Sequence, residues 1–166
     1  QIHDPFLKRV LVEATKDVWK RIRSAGCAVG FKDLGAGGFG GASSELVLAG
    51  GFGAEIRLDD LPAAESDPNP AHILVGETQE RFVWAVPERI AAEIVSIYNE
   101  AFDLPGIYPG ACARIVGRVT EERRYRCTWK GSVAVDLPAA ILEESPVYER
   151  PVRARAVATS DRSPLR

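Results

Sequence analysis

The sequence is poor in the residues that build disulfide frameworks, zinc sites and hydrolytic triads. Its 166 residues include only three cysteines and two histidines. Cys27, Cys112 and Cys127 lie far apart and form no C-x-x-C motif, and an odd, unclustered set argues against disulfides or structural zinc. We expect the three thiols to be buried as small hydrophobic groups. No Ser-His-Asp assembly is evident.

Long apolar runs and an excess of one charge are also missing. No stretch approaches the roughly 20 apolar residues of a membrane span. The formal net charge of −2 gives no electrostatic footprint for nucleic acid. No signal peptide or basic presequence is visible, so the cytoplasm is the expected location. Methionine is absent and the chain begins with Gln1, so we expect a piece excised from a longer protein.

The hydrophobic periodicity predicts an α+β protein in which helices alternate with strands early and hairpins come late. Asp4-Pro5 is typical of a helix start, and this helix is expected to end at Gly26. Further helices are predicted over 42–49, 72–75 and 87–102, and strands over 27–31, 53–58, 82–86, 112–119, 125–129 and 132–137. One domain is expected over 1–150, with a mixed, largely antiparallel sheet and packed helices. Residues 151–166 are interpreted as a linker or disordered tail.

A glycine-rich loop, Asp33-Leu-Gly-Ala-Gly-Gly-Phe-Gly-Gly41, lies between a predicted strand and a predicted helix. Gly35, Gly37 and Gly38 leave backbone N–H groups accessible to phosphate, and a magnesium ion between phosphate and the Asp33 carboxylate would join the two. One alternative is a tightly packed turn in which Asp33 caps a helix. Another is a dinucleotide-binding loop, since G-x-G-x-x-G is present. The Asp33 charge and the antiparallel pattern of the later strands disfavour it.

A polar run, Gly76-Glu-Thr-Gln-Glu-Arg81, separates two apolar segments at a predicted helix-to-strand junction. Such a junction is commonly a solvated turn. The functional interpretation is that Glu77 and Gln79 point together into a cleft, where a carboxylate and a carboxamide bind a small polar ligand. Glu80 and Arg81 are expected to form a structural ion pair.

These two motifs, together with further segments in the same order, resemble the phosphoribosylformylglycinamidine synthase family. More narrowly, they resemble the first carboxy-terminal-type domain of its large synthetase subunit, within the aminoimidazole-ribonucleotide-synthase-like superfamily. The segments that carry the resemblance are 1–6, 32–38 with 43–45, 76–82, 134–138 and 146–148. The polar run and residues 1–6 narrow it to this family, because the glycine loop is shared loosely across the superfamily.

The resemblance implies an ATP-dependent carbon–nitrogen ligase of purine biosynthesis that converts formylglycinamide ribonucleotide to formylglycinamidine ribonucleotide. It implies that Gln1, Glu77, Thr78 and Gln79 contact the ribonucleotide and that Asp33 binds Mg²⁺. ATP, an amino-terminal ATP-binding domain, a second half of the same enzyme and a glutamine amidotransferase subunit are the implied partners. A homodimer is also compatible with the superfamily. No catalytic base is assigned here, so the chain alone is expected to be inactive.

One departure from the family pattern lies next to the metal-binding candidate. Lys32 stands where many members carry glutamine, which adds a positive charge beside Asp33. Three rival classes remain. They are a sister enzyme of the aminoimidazole ribonucleotide synthase or selenophosphate synthetase type, a dinucleotide-binding oxidoreductase, and a non-catalytic interaction domain.

Overall fold

The structure of the protein is a computed structural model that describes residues 4–63, 69–144 and 148–152. Gln1 and most of the predicted tail, 153–166, lie outside the described residues. The helices are α1 (Pro5–Ala25), α2 (Gly38–Leu48), α3 (Pro70–Val75), α4 (Glu88–Ser96), α5 (Leu104–Ile107) and α6 (Ala139–Glu143). The strands are β1 (Gly30–Asp33), β2 (Gly53–Arg57), β3 (Phe82–Ala85), β4 (Gly117–Thr120), β5 (Arg124–Trp129) and β6 (Ser132–Pro138).

The described strands form two sheets rather than the single sheet expected. β1 and β3 make a two-stranded antiparallel ribbon. The other four strands lie in the order β4-β2-β5-β6, in which β2 and β5 are parallel and the remaining pairs are antiparallel. The predicted α+β class, with mixed and largely antiparallel pairing, is therefore confirmed.

Helix α1 forms where the cap and the apolar spacing predicted it. The Asp4 side chain accepts hydrogen bonds from the N–H groups of Phe6 and Leu7, each at 2.9 Å, and Gly26 ends the helix in the left-handed conformation. Its buried stripe, Leu7, Leu11, Ala14, Val18 and Ile22, belongs to the first core cluster. That cluster also contains α4 side chains and half-buried aromatic groups of the β1–β3 ribbon.

A second core cluster lies where α2 and α3 cover one face of the four-stranded sheet. Its buried members are Phe39, Val47, Ala54, Ile56, Leu58, Ile73, Tyr125 and Cys127. Burial raises the pKa of the Cys127 thiol to about 11, so this cysteine packs as the expected hydrophobic group. Cys27 and Cys112 are only partly buried. The described part of the chain has no helix long and apolar enough to cross a bilayer.

Two predicted starts are wrong by four residues or more, each for a local reason. Helix α2 begins at Gly38 rather than at residue 42, because the glycine loop itself turns into the helix. Strand β4 begins at Gly117 rather than at residue 112. The Asn99 side chain, in a π-helical turn over Ile97–Ala101, bonds both the N–H and the C=O of Ala113. This contact anchors the segment before β4 without a strand partner.

Candidate functional site

The fold brings the glycine loop and the polar run into direct contact. The loop leads from β1 into α2, the polar run leads from α3 into β3, and β1 pairs with β3. The Gly37 N–H donates to Glu77 Oε1 at 3.2 Å, a contact between residues 40 positions apart in the sequence. The two motifs therefore form one surface at the N-terminus of α2.

Gly38 fixes this contact because no larger residue fits at its position. It is buried and has φ near 57°. A Cβ atom built there would lie 2.5 Å from the carbonyl oxygen of Gly76 and 2.7 Å from the carbonyl carbon of Val75. Glycine can be required at a position because two backbone segments approach closely or because phosphate binds there. The motif alone does not distinguish these two explanations.

The amide groups predicted to bind phosphate are partly engaged within the protein. The Gly38 N–H donates to the Gly35 carbonyl oxygen at 3.0 Å, as in a turn. The Gly37 N–H is bonded to the exposed carboxylate of Glu77, which an anion could displace. Phosphate binding by Gly35, Gly37 and Gly38 stays a prediction.

Asp33 is the last residue of β1 and is exposed to solvent. Its carboxylate forms no hydrogen bond or ion pair with a described residue, and α2 has Gly37 at its N-cap without a side-chain bond. The capping part of the alternative is therefore wrong, whereas its tightly packed turn agrees with the lack of space for a Cβ atom at Gly38. Lys32 forms an ion pair with Glu45 of α2. Because neighbouring strand residues point to opposite faces, the Lys32 charge is directed away from Asp33.

The polar run is a tightly held loop in which Glu77, Thr78 and Gln79 are exposed. The expected ion pair between Glu80 and Arg81 is not formed. Glu80 instead pairs with Lys8, whose Nζ lies 3.3 Å from Glu80 Oε2.

Arg81 bonds to the backbone carbonyls of Gly76 and Thr78 rather than to a carboxylate. These roles of Arg81 and Lys8 were not predicted from the sequence. The position of Arg81, directly before β3, is the one sequence feature that could have suggested a side chain turned towards the protein.

The side chains of the candidate site could hold Mg²⁺ if phosphate and water supplied the other ligands. No group of three or more His, Cys, Asp or Glu side chains suited to a metal ion occurs among the described residues. Mg²⁺ is commonly held by one or two carboxylates together with substrate phosphates and water. The exposed Asp33 carboxylate, which has no partner among the described residues and lies four residues before the N-cap of α2, suits that mode, and a closed all-protein metal cage does not fit.

Comparison with known proteins defines the class to which this fold and surface belong. The sequence model of a protein family, described as AIR synthase related protein, C-terminal domain, matches residues 1–130. The chain therefore belongs to this family.

Similar proteins narrow the comparison further. The phosphoribosylformylglycinamidine synthase subunit PurL of Methanothrix thermoacetophila is 46% identical over 155 residues, which are 93% of this chain and 20% of that protein. The subunit of the same name from Aquifex aeolicus is 34% identical over 154 residues, covering 92% of this chain and 19% of that protein. The chain thus spans about a fifth of the length of these curated relatives.

Solved structures of a Thermotoga maritima protein share the fold. A structure described as T. maritima PurL complexed with FGAR has a TM-score of 0.70 and 30% identity, covering 95% of this chain and 25% of that one. A complex with ATP has a TM-score of 0.68 and 31% identity, covering 92% of this chain and 25% of that one. The family resemblance inferred from the motifs is confirmed.

Proposed function

We propose that this chain forms one wall of the active site of a phosphoribosylformylglycinamidine synthase. This enzyme converts formylglycinamide ribonucleotide to formylglycinamidine ribonucleotide with ATP and ammonia. The observation that carries the proposal is the contact between Gly37 and Glu77, which joins the candidate phosphate loop to the candidate substrate loop. The 46% identity to a PurL subunit and the similarity to a PurL complexed with FGAR support the choice of reaction.

Each exposed group on this wall has a proposed part in binding. Glu77, Thr78 and Gln79 contact the ribonucleotide, whose amide and hydroxyl groups require both donors and acceptors. Gln1, which lies outside the described residues, is proposed to contact it as well. Asp33 holds Mg²⁺, which would neutralise phosphate charge when bound. The N–H groups of the glycine loop and the α2 N-terminus favour the remaining negative charge.

Other parts of the proposed site come from outside this chain. An amino-terminal ATP-binding domain, a second half of the enzyme and a glutamine amidotransferase subunit that supplies ammonia are the proposed partners, and a homodimer is compatible with them. The Thermotoga maritima structures described as PurL complexed with ATP and as PurLQS support the proposals of nucleotide binding and of assembly with other subunits. No catalytic residue is assigned to this chain, which we expect to be inactive alone. The cytoplasmic location stays a prediction.

The test is ATP- and ammonia-dependent turnover of formylglycinamide ribonucleotide by the full-length protein, wild type beside Asp33→Asn. The variant removes the charge of the metal-binding group without changing its size. We expect its activity to collapse at low magnesium and to recover in part at high magnesium. Identical magnesium titrations for the two proteins would contradict the role of Asp33.

The same assay separates the substrate loop from the metal-binding residue. Glu77→Ala should raise the KM for the ribonucleotide about ten- to hundredfold, because a lost hydrogen bond to a charged group costs about 1.5–3 kcal/mol. Glu77→Gln, which retains an acceptor for the Gly37 N–H, should retain part of the affinity. A folded wild-type protein that does not turn over formylglycinamide ribonucleotide would contradict the proposed reaction. The substrates of the sister enzymes are then tested, and turnover of one of them would shift the assignment to that enzyme.

A further inference from the structure

Arg81 is the residue that holds the shape of the polar loop. Its Nε donates to the carbonyl oxygen of Thr78 at 3.0 Å, and its Nη2 donates to the carbonyl oxygen of Gly76. No carboxylate among the described residues pairs with this guanidinium, and burial lowers its pKa from the ordinary value. A rigid fork of donors suits two carbonyl groups fixed in space, which a lysine ammonium satisfies less well.

The backbone of Arg81 is bonded to the other motif. Its carbonyl oxygen accepts a hydrogen bond from the Leu34 N–H at 3.1 Å, and Leu34 directly follows Asp33. The side chain thus holds the loop that carries Glu77, while the main chain holds the segment that carries Asp33. Arg81 is bonded to both halves of the candidate site.

The residue before Arg81 shows that this loop is held under constraint. Glu80 has a φ of 60°, a left-handed conformation that is unfavourable for a non-glycine residue. Its side chain is only 10% exposed and is paired with Lys8 of α1. A conformation of this kind persists only where surrounding contacts favour it. The contacts beside Glu80 include the Lys8 ion pair, in which Glu80 Oε2 accepts no hydrogen bond from a described residue, and the Arg81 fork.

We propose that Arg81 is a positioning residue that sets the distance between the Glu77–Gln79 loop and Asp33. It acts through the carbonyl groups of Gly76 and Thr78 and touches no ligand itself. The identity of the ligands, though not the positioning itself, rests on the function proposed above.

The experiment compares full-length wild-type protein with Arg81→Ala and Arg81→Lys. Arg89→Ala is the matched control, because Arg89 also donates to a backbone carbonyl, that of Ala25, but away from the site. Hydrogen–deuterium exchange without ligand is measured first. We expect Arg81→Ala to speed exchange about tenfold in peptides covering 34–38 and 76–80. Arg81→Lys should give an intermediate rate, and Arg89→Ala should leave both peptides unchanged.

Steady-state kinetics then connect the loop to the site. In Arg81→Ala, the KM for formylglycinamide ribonucleotide and the magnesium concentration for half-maximal rate should both rise about tenfold. The change in kcat should be smaller, because the loss weakens binding in the ground state and in the transition state alike. The lysine variant should recover part of both parameters, and the Arg89 control should match the wild type.

Each other outcome overturns a definite part of the proposal. Unchanged exchange in Arg81→Ala overturns positioning, and if KM rises all the same, Arg81 contacts the ligand directly. Faster exchange with unchanged KM and magnesium dependence shows that the loop geometry does not serve binding, which also overturns it. If the wild type lacks turnover, the proposed function fails, while exchange in the two peptides still decides whether Arg81 positions them.

Discussion

Gly38 links the stability of the protein directly to the geometry of the candidate site. Its positive φ disfavours any side chain, and a Cβ atom at this position would lie only 2.5 Å from the carbonyl oxygen of Gly76. A larger residue is therefore excluded unless the backbone moves. Any such residue would push the polar loop away from the α2 N-terminus, the place where the two motifs meet.

We therefore predict that Gly38→Ala lowers the free energy of unfolding by about 2 kcal/mol or more. The left-handed conformation alone costs about 1–2 kcal/mol for a residue with a Cβ, and the contact with Gly76 adds to it. Chemical denaturation measures the change. Gly35→Ala is the control, because a Cβ at Gly35 would meet no atom within 4 Å, so its effect should be within about 0.5 kcal/mol. Equal effects of the two substitutions would refute the close-packing argument.

Among the elements, α2 is fastened to the four-stranded sheet by a buried polar contact. Ser43 Oγ donates to the Phe39 carbonyl oxygen and lies 2.6 Å from the hydroxyl oxygen of Tyr125 on β5. Because the single Ser43 hydroxyl hydrogen is donated to Phe39, the Tyr125 hydroxyl is the donor to Ser43 Oγ, and burial raises the pKa of this tyrosine above its ordinary value. Both side chains are buried, and water does not readily replace a lost partner.

We predict that Ser43→Ala costs more stability than Tyr125→Phe. The first removes the Ser43 partner of the buried Tyr125 hydroxyl, at about 1–3 kcal/mol, whereas the second leaves Ser43 bonded to Phe39 and costs about 0.5–1.5 kcal/mol. Urea denaturation of both variants checks this order. Ser44→Ala, on the same helix but bonded, among the described residues, to the Gly41 carbonyl oxygen alone, should have a smaller effect. The reverse order for Ser43 and Tyr125 would contradict the direction of donation.

Local signals in the sequence were sufficient for α1 and insufficient for α2. An Asp-Pro cap, an apolar stripe and a terminal glycine each act within a few residues, so the bounds of α1 could be predicted. The start of α2 could not, because glycine has a low helix propensity and its helical state here depends on contacts with residues 74–76. Tertiary packing decided that boundary.

The candidate site divides in the same way. The residue types at Asp33 and over 77–79 indicated ligand chemistry from the sequence. The pairing of β1 with β3 that unites them could not be predicted, because it joins segments that are far apart in the chain. The predicted partner of Arg81, Glu80, was wrong for a related reason. Every residue has a backbone carbonyl, so the sequence does not indicate which carbonyl groups a side chain will bind.

At the scale of the whole molecule, the face of the four-stranded sheet that α2 and α3 leave uncovered is charged. Asp136 on β6 pairs with Arg124 and Arg126 on β5 at 2.7 and 3.0 Å, and Arg118 on β4 pairs with Glu55 on β2. Hydrogen bonds from Arg124 and then Arg126 hold the pKa of Asp136 below its ordinary value.

These ion pairs make the free energy of unfolding depend on pH, and their contribution is lost as the pH falls. A carboxylate whose pKa is depressed by folding stabilises the folded state above its unfolded pKa, about 3.9 for aspartate, and loses that contribution as pH falls through the folded value. We predict a decline in stability below about pH 4 that is shallower in Asp136→Asn. Thermal unfolding from about pH 7 to about pH 2.5 measures it. An NMR titration that placed the Asp136 pKa at or above its ordinary value would contradict the prediction.

The position of β2 in the sheet order has a consequence for synthesis. Both of its neighbours, β4 and β5, come from residues 117–129, far later in the chain than β2 itself. A nascent chain on the ribosome therefore carries β2 with two unpaired edges until those residues emerge, and unpaired edges invite pairing with other chains. The long sequence separation also slows closure of the sheet. Translation speed across residues 58–129 is thus coupled to how long an aggregation-prone strand stays exposed.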